Sequence, residues 1–141
     1  MTAKIWLVAI PLAALAIAAS AESQKTVLDG VYTTAQAERG KASYNLFCAG
    51  CHKEDLSGGG DDAARAAALK GDKIIVRKDL NNLFSYIRDW MPQDDRGSLN
   101  DPTCIDIVAY ILQQNSFPSG AEELKADHEA LKQILLVKKP Q

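Results

Sequence analysis

The sequence predicts a mostly α-helical protein, built of short helices and long loops. Three observations predict it. Apolar residues recur at helical spacing in two segments, and a capping residue stands at the start of each. No alternating apolar–polar run reads convincingly as a strand. Clusters of Gly, Asp, Ser and Pro punctuate the chain between the periodic segments. A length of 141 residues fits one domain, and an apolar fraction of 47% is enough for a packed core. The formal net charge is -2, and no basic run carries interleaved aromatics, which sets nucleic-acid binding aside.

Residues 1–21 read as a secretory signal peptide. Lys4 gives a positive start, a 15-residue apolar run follows from Ile5 to Ala19, and the small residues Ala19 and Ala21 mark a cleavage site. The run is shorter than the roughly 20 residues of a membrane span. An uncleaved N-terminal anchor is the rival reading. The expectation is an exported, periplasmic protein with no membrane span in its mature form. Residues 22–120 would form the main domain, and 121–141 an amphipathic C-terminal extension packed on it.

The mature chain opens with an extended lead-in over 22–31. A helix over 34–47 follows, with Thr33 as N-cap and Gln36 placed to complete a capping box. Gly40 falls inside this helix at a cost of about 1 kcal/mol relative to Ala. Either it is tolerated or another backbone passes close by. Residues 57–62 read as a flexible turn, and 62–71 as a short helix ended by Gly71. A further helix starts at the Asp79 cap, buries Leu80, Leu83, Phe84 and Ile87 on one face, and stops just past Met91 at Pro92. The last long helix takes Asp101 as N-cap and Pro102 as its first residue. Cys104, Ile105, Ile107, Val108, Ala109, Ile111 and Leu112 form one broad apolar arc on it, so Cys104 reads as a small buried hydrophobe. Near the C-terminus, Leu131, Ile134 and Leu135 are placed to clamp onto the domain.

The chemistry concentrates at 48–52. The chain has three cysteines and two histidines, and Cys48, Cys51 and His52 stand within five positions. Cys48-Ala49-Gly50-Cys51-His52 matches C-x-x-C-H, the attachment motif of a c-type haem. Two thiols spaced by two residues can add to the two vinyl groups on one porphyrin edge, and the next residue presents an imidazole to the iron. Thioethers at Cys48 and Cys51 leave Cys104 alone, which resolves the odd cysteine count of an exported chain. Three other readings stay open. A thioredoxin-like motif needs a βαβ context. A zinc site would draw on Cys48, Cys51, His52 and either Cys104 or His128. A plain disulfide would pair Cys48 with Cys51.

With His52 as one axial ligand, the other candidate is Met91. It is the one methionine left after leader removal, and it lies in a Pro-flanked loop rather than an apolar stripe. A thioether opposite histidine raises the reduction potential. His128, in a charged tail segment, is the competitor and reads as solvent-facing. An open sixth position would instead suit a haem enzyme or sensor.

The stretches GVYTTAQAERGKASYNLFCAGCHKEDLSGG, WMPQDDRGSL and DIVAYIL together resemble a class I, mitochondrial-type monohaem cytochrome c. The chain is most similar to bacterial cytochromes that stand alone or are associated with quinoprotein alcohol dehydrogenases. The resemblance spans about residues 30–135. It implies the cytochrome c fold, short helices and loops wrapped around one covalently bound haem c. Cys48 and Cys51 would be the thioether sites, with His52 and Met91 as axial ligands. The first and last main helices would cross at Gly40, near Tyr44 or Phe47 and Tyr110. A backbone carbonyl would receive the His52 N–H. Here that carbonyl falls to Ala66 or Ala67, in a stretch without the proline that relatives carry.

The expected function is single-electron transfer by a carrier rather than an enzyme. The alternative is an electron-accepting subunit of a dehydrogenase complex. The expected partners are a dehydrogenase as donor and an oxidase or another cytochrome as acceptor. Lys41, Lys53, Lys70 and Lys73 lie near the motif. They either steer an acidic partner or form an ordinary solvated surface.

Overall fold

The structure is a computed structural model that describes residues 24–59 and 66–140. The leader expected at 1–21 lies outside the described residues, as do residues 60–62 of the expected turn and 62–65 of the expected short helix.

Helix α1 (Thr34–Phe47) starts where Thr33 turns extended and its Oγ1 accepts from the Gln36 N–H at 3.1 Å. The Gln36 side chain does not fold back to complete a capping box. It is buried, and it donates to the Leu124 carbonyl and accepts from the Leu124 N–H, both at 2.8 Å. A long-range partner thus replaces the local one. Helix α2 (Ala49–His52) is a single turn that follows directly. Helix α3 (Asp72–Ile75) begins only after Gly71. This corrects the short helix expected up to Gly71. Over 66–71 the main chain bonds outward instead: Leu69 N–H to the Leu56 carbonyl at 2.9 Å, and the Ala66 carbonyl from Gly59 N–H at 3.2 Å. Gly71 itself has φ +61, outside helical space.

Helix α4 (Leu80–Trp90) has the expected Asp79 cap, with Oδ1 accepting from the Asn82 N–H at 2.8 Å. Its Leu80, Leu83, Phe84 and Ile87 are all buried. Helix α5 (Asp101–Gln114) is capped by Asn100, one residue before the expected Asp101. The Asn100 Oδ1 reaches the Thr103 N–H at 2.9 Å. Asp101 then sits in the first turn, where its charge suits the positive end of the helix. The apolar arc read on this helix is buried, Cys104 included. Helix α6 (His128–Lys132) lies in the C-terminal segment.

The lead-in contributes strand β1 (Lys25–Thr26), which pairs in parallel with strand β2 (Ile134–Leu135), Lys25 opposite Ile134. Each strand has two residues, too few for alternation to show in sequence. The pair sets the register of the tail. Leu131, Ile134 and Leu136 are buried, and Leu135 is only half-buried, so Leu136 takes the place expected of Leu135.

Helices α1 and α5 cross in direct backbone contact. A Cβ on Gly40 would lie 1.8 Å from the Asp106 carbonyl oxygen and 3.0 Å from the Tyr110 Cβ. Gly40 therefore marks close approach, and Tyr44 and Tyr110 pack across the crossing with ring centroids 5.1 Å apart and planes tilted by 53°. On its outer edge Arg39 bridges α1 to Asp106 of α5 and to Glu123, at 2.9 Å each. Together the crossing and its ion pairs fix the C-terminal end of α1, from which the turn at 48–52 emerges.

Candidate functional site

The turn that carries the cysteine–histidine cluster is held from both ends. The Cys48 N–H continues α1 by bonding to Tyr44 O at 2.8 Å, and the His52 N–H bonds to Cys48 O at 2.8 Å. At the exit Lys53 takes φ +62, costly for a residue with a Cβ. The Tyr44 hydroxyl, from inside the α1–α5 contact, donates to the Lys53 carbonyl at 2.8 Å and holds it there. Leu56, with φ +64, is fully buried and anchors the next turn.

Cys48, Cys51 and His52 thus share one helical turn. Their environments differ. Cys48 is buried and Cys51 is exposed. Burial, with the Cys104 and Cys51 sulfurs nearby, pushes the Cys48 thiol up to about 12. His52 is half-buried, and its Nδ1 lies 2.8 Å from the carbonyl of Ala67. A carbonyl only accepts, so Nδ1 carries a proton and donates, and the tautomer this bond selects has its lone pair on Nε2. The carbonyl expected from Ala66 or Ala67 is that of Ala67. The stretch lacks proline, and other contacts fix it. A Cβ on Gly58, which has φ +68, would fall 2.6 Å from Ala66 O and 2.8 Å from the Ala67 carbonyl carbon. Gly58 N–H also bonds back to His52 O at 3.0 Å. Gly58 and Asn115, whose side chain holds 69–71, were not singled out from the sequence.

Met91 is the C-cap of α4, with extended backbone and a half-buried side chain, and the Met91–Pro92 bond is cis. Phe47, beside Cys48, and Trp90, beside Met91, keep much of their apolar surface exposed, 41% and 51%.

The two residues outside the turn behave differently from it. Cys104 is fully buried, its Sγ 3.8 Å from the Leu99 carbonyl, and burial pushes its thiol up to about 11. His128 is half-buried and held by other side chains, rather than simply facing solvent as expected. It packs edge-on to Phe84, its Nδ1 lies 2.7 Å from Asn81 Oδ1, and Arg88 Nη1 lies 2.9 Å from its Nε2. The guanidinium can only donate, so Nε2 accepts and the Nδ1–H donates to Asn81. Both nitrogens are engaged. Among the described residues, no group of three or more His, Cys, Asp or Glu side chains is arranged to hold a metal ion by itself. The zinc reading therefore lacks a converging donor set.

The donor set does fit a haem c. Two thiols and one imidazole leave the same turn, the imidazole has Nδ1 bound to the Ala67 carbonyl and so offers Nε2 as a donor atom, and large apolar side chains flank the cluster and Met91.

Comparison with known proteins agrees. The profile of the family described as "Cytochrome C oxidase, cbb3-type, subunit III" matches residues 35–111, more than half of the chain. No curated protein matches the sequence. A similar solved structure is the crystal structure of the sulfane dehydrogenase SoxCD from Paracoccus pantotrophus, at 21% identity and a TM-score of 0.47. The match covers 82% of this chain and 62% of that one, less than two thirds of its length. With the profile spanning α1 to most of α5, the chain belongs to this cytochrome c family and is a class I monohaem cytochrome c, a protein of haem-based electron transfer.

Proposed function

We propose that the chain is an exported, periplasmic electron carrier. It holds one haem c covalently through Cys48 and Cys51, with His52 and Met91 as axial ligands. The observation that carries this reading is the 2.8 Å contact between His52 Nδ1 and Ala67 O, on the turn that also bears both cysteines. It leaves Nε2 as a ready iron ligand and makes the ring a stronger donor.

The bound haem supplies a one-electron couple. The chain's own residues fix its setting. The Cys48–Cys51 turn gives two anchoring sulfurs on one face. Ala67 O orients the imidazole. Met91 offers a soft thioether, which favours the ferrous state. Leu80, Leu83, Phe84 and Ile87 of α4 and the apolar arc of α5 are buried in one core, and a rigid apolar core keeps reorganisation small. The proposed partners are a dehydrogenase as donor and an oxidase or another cytochrome as acceptor. Among the described residues no helix is long and apolar enough to cross a membrane. Lys41, Lys53, Lys70 and Lys73 are exposed, and among the described residues Lys70 lies 3.9 Å from the Asp55 carboxylate. Exposed lysines near the turn in sequence suit a weak, fast encounter with an acidic surface.

Met91→Ala tests the ligand set. The wild type should bind no carbon monoxide when reduced. The variant should lose the weak far-red band of methionine–ferric ligation and bind carbon monoxide. An unchanged ferric spectrum would remove Met91 from the site.

A further inference from the structure

The carbonyl that orients His52 belongs to the stretch 66–71, whose described residues form no helix and no strand and include no proline. Something outside it must hold it. A side chain that bonds to it from a distant helix is that of Asn115, the C-cap of α5. Its Oδ1 accepts from the Gly71 N–H at 2.8 Å. Its Nδ2 donates to Leu69 O at 2.9 Å and to Ile111 O at 2.7 Å. The amide thus spends its acceptor and both donors on one task, tying residues 69–71 to the last turn of α5. On the other side Leu56 O accepts from Leu69 N–H, and the Gly58 backbone presses on the Ala67 peptide.

We propose that Asn115 is a positioning residue for the axial histidine. It sets the Ala67 carbonyl through 69–71 and so tunes the electron donation of His52, an inference that rests on His52 being an iron ligand. The local sequence lacks the stiffness to hold the carbonyl, and the α5 cap supplies it from 44 to 46 positions away. A firm Nδ1–H···O bond makes Nε2 more electron-rich and favours ferric iron. A slack one favours ferrous iron. Losing Asn115 therefore raises the reduction potential.

The test uses the purified holoprotein and three variants. Asn115→Ala removes the clamp. Asn115→Ser keeps a small polar cap too short to span both partners, and serves if the alanine variant folds poorly. Thr33→Ala removes the α1 cap, a purely structural loss on the far side of the crossing. Equilibration against a redox mediator gives the potential, proton NMR gives the His52 Nδ1–H resonance, and hydrogen exchange follows the Gly71 amide. Both Asn115 variants should shift the equilibrium about threefold toward ferrous. That is about 28 mV at 59 mV per decade for one electron. They should also move the Nδ1–H resonance and expose the Gly71 amide, while Thr33→Ala changes none of these. Exposure of the Gly71 amide with an unmoved potential and resonance would make Asn115 a helix cap and nothing more. An equal shift in Thr33→Ala would attribute the change to general loosening and also overturn the proposal. A wild type with no axial histidine signal would fail earlier, before any variant is compared, and would sink the ligand assignment along with it.

Discussion

The three cysteines have three different surroundings. Cys48 is buried at the end of α1, Cys51 is exposed one turn later, and Cys104 is sealed in the face of α5. Under the proposed attachment Cys48 and Cys51 are thioethers, and Cys104 alone remains a thiol. It is inaccessible, and burial keeps its thiol protonated, up to about 11. Alkylation of the native protein should therefore add no label, and alkylation after denaturation should add one. Two or three labels on the denatured chain would contradict thioether attachment. The turn at 48–52 and the buried place of Cys104 were legible in the sequence because both follow from local spacing. The role of His128 was not. Its charged neighbours in sequence hid its spatial neighbours, Phe84, Asn81 and Arg88, which lie 40 or more positions away.

At the level of elements, the α1–α5 crossing sets the geometry on which the site depends. Gly40→Ala would force a methyl group into the Asp106 carbonyl, a backbone atom that cannot swing aside. The cost should be about 3 kcal/mol, the upper end for overpacking. That corresponds to a fall of about 10 °C in Tm for a domain of this size. A loss of under 1 kcal/mol in a thermal melt would mean that the helices can separate there. The C-terminal segment is tied to the same crossing by the Arg39–Glu123 pair. Its hydrogen bonds with Arg39 hold the Glu123 carboxyl below its ordinary value of 4.5. A depressed carboxylate stabilises the fold above its unfolded value, and that contribution is lost as pH falls through the folded one. Docking of 121–127 should weaken as pH drops below about 4.5, seen as faster exchange of the Leu124 amide. Glu123→Gln should flatten that dependence, and an unchanged slope would exclude the pair as its source. The Thr33 and Asp79 caps were readable because they act over three residues. The Gln36–Leu124 link, the two-residue strands and the Asn100 cap escaped because their partners are distant or a neighbour offered an equally good cap. The expected helix ending at Gly71 failed for a related reason. Its alanines favour helix, but the tertiary bonds of 66–71 outweigh a propensity of tenths of a kcal/mol per residue.

Across the described residues, the lead-in, the tail and the main helices pack into one connected set. The lead-in strand pairs with the tail, the tail packs on α4, and α4 ends at Met91, while α1 and α5 hold the turn and its carbonyl. The family and the general architecture were visible in the sequence, because C-x-x-C-H and the helical periodicities are short-range patterns. The supports of the Ala67 carbonyl were not, because they join segments with no shared motif. The central claim is covalent haem with histidine and methionine on the iron. It is tested most directly by acid–acetone extraction of the purified protein, followed by visible spectra of the oxidised and reduced forms. The haem should remain with the polypeptide, and the unextracted ferric protein should show the weak far-red methionine band. Haem released into the acetone would contradict attachment at Cys48 and Cys51, and covalent haem without that band would contradict Met91.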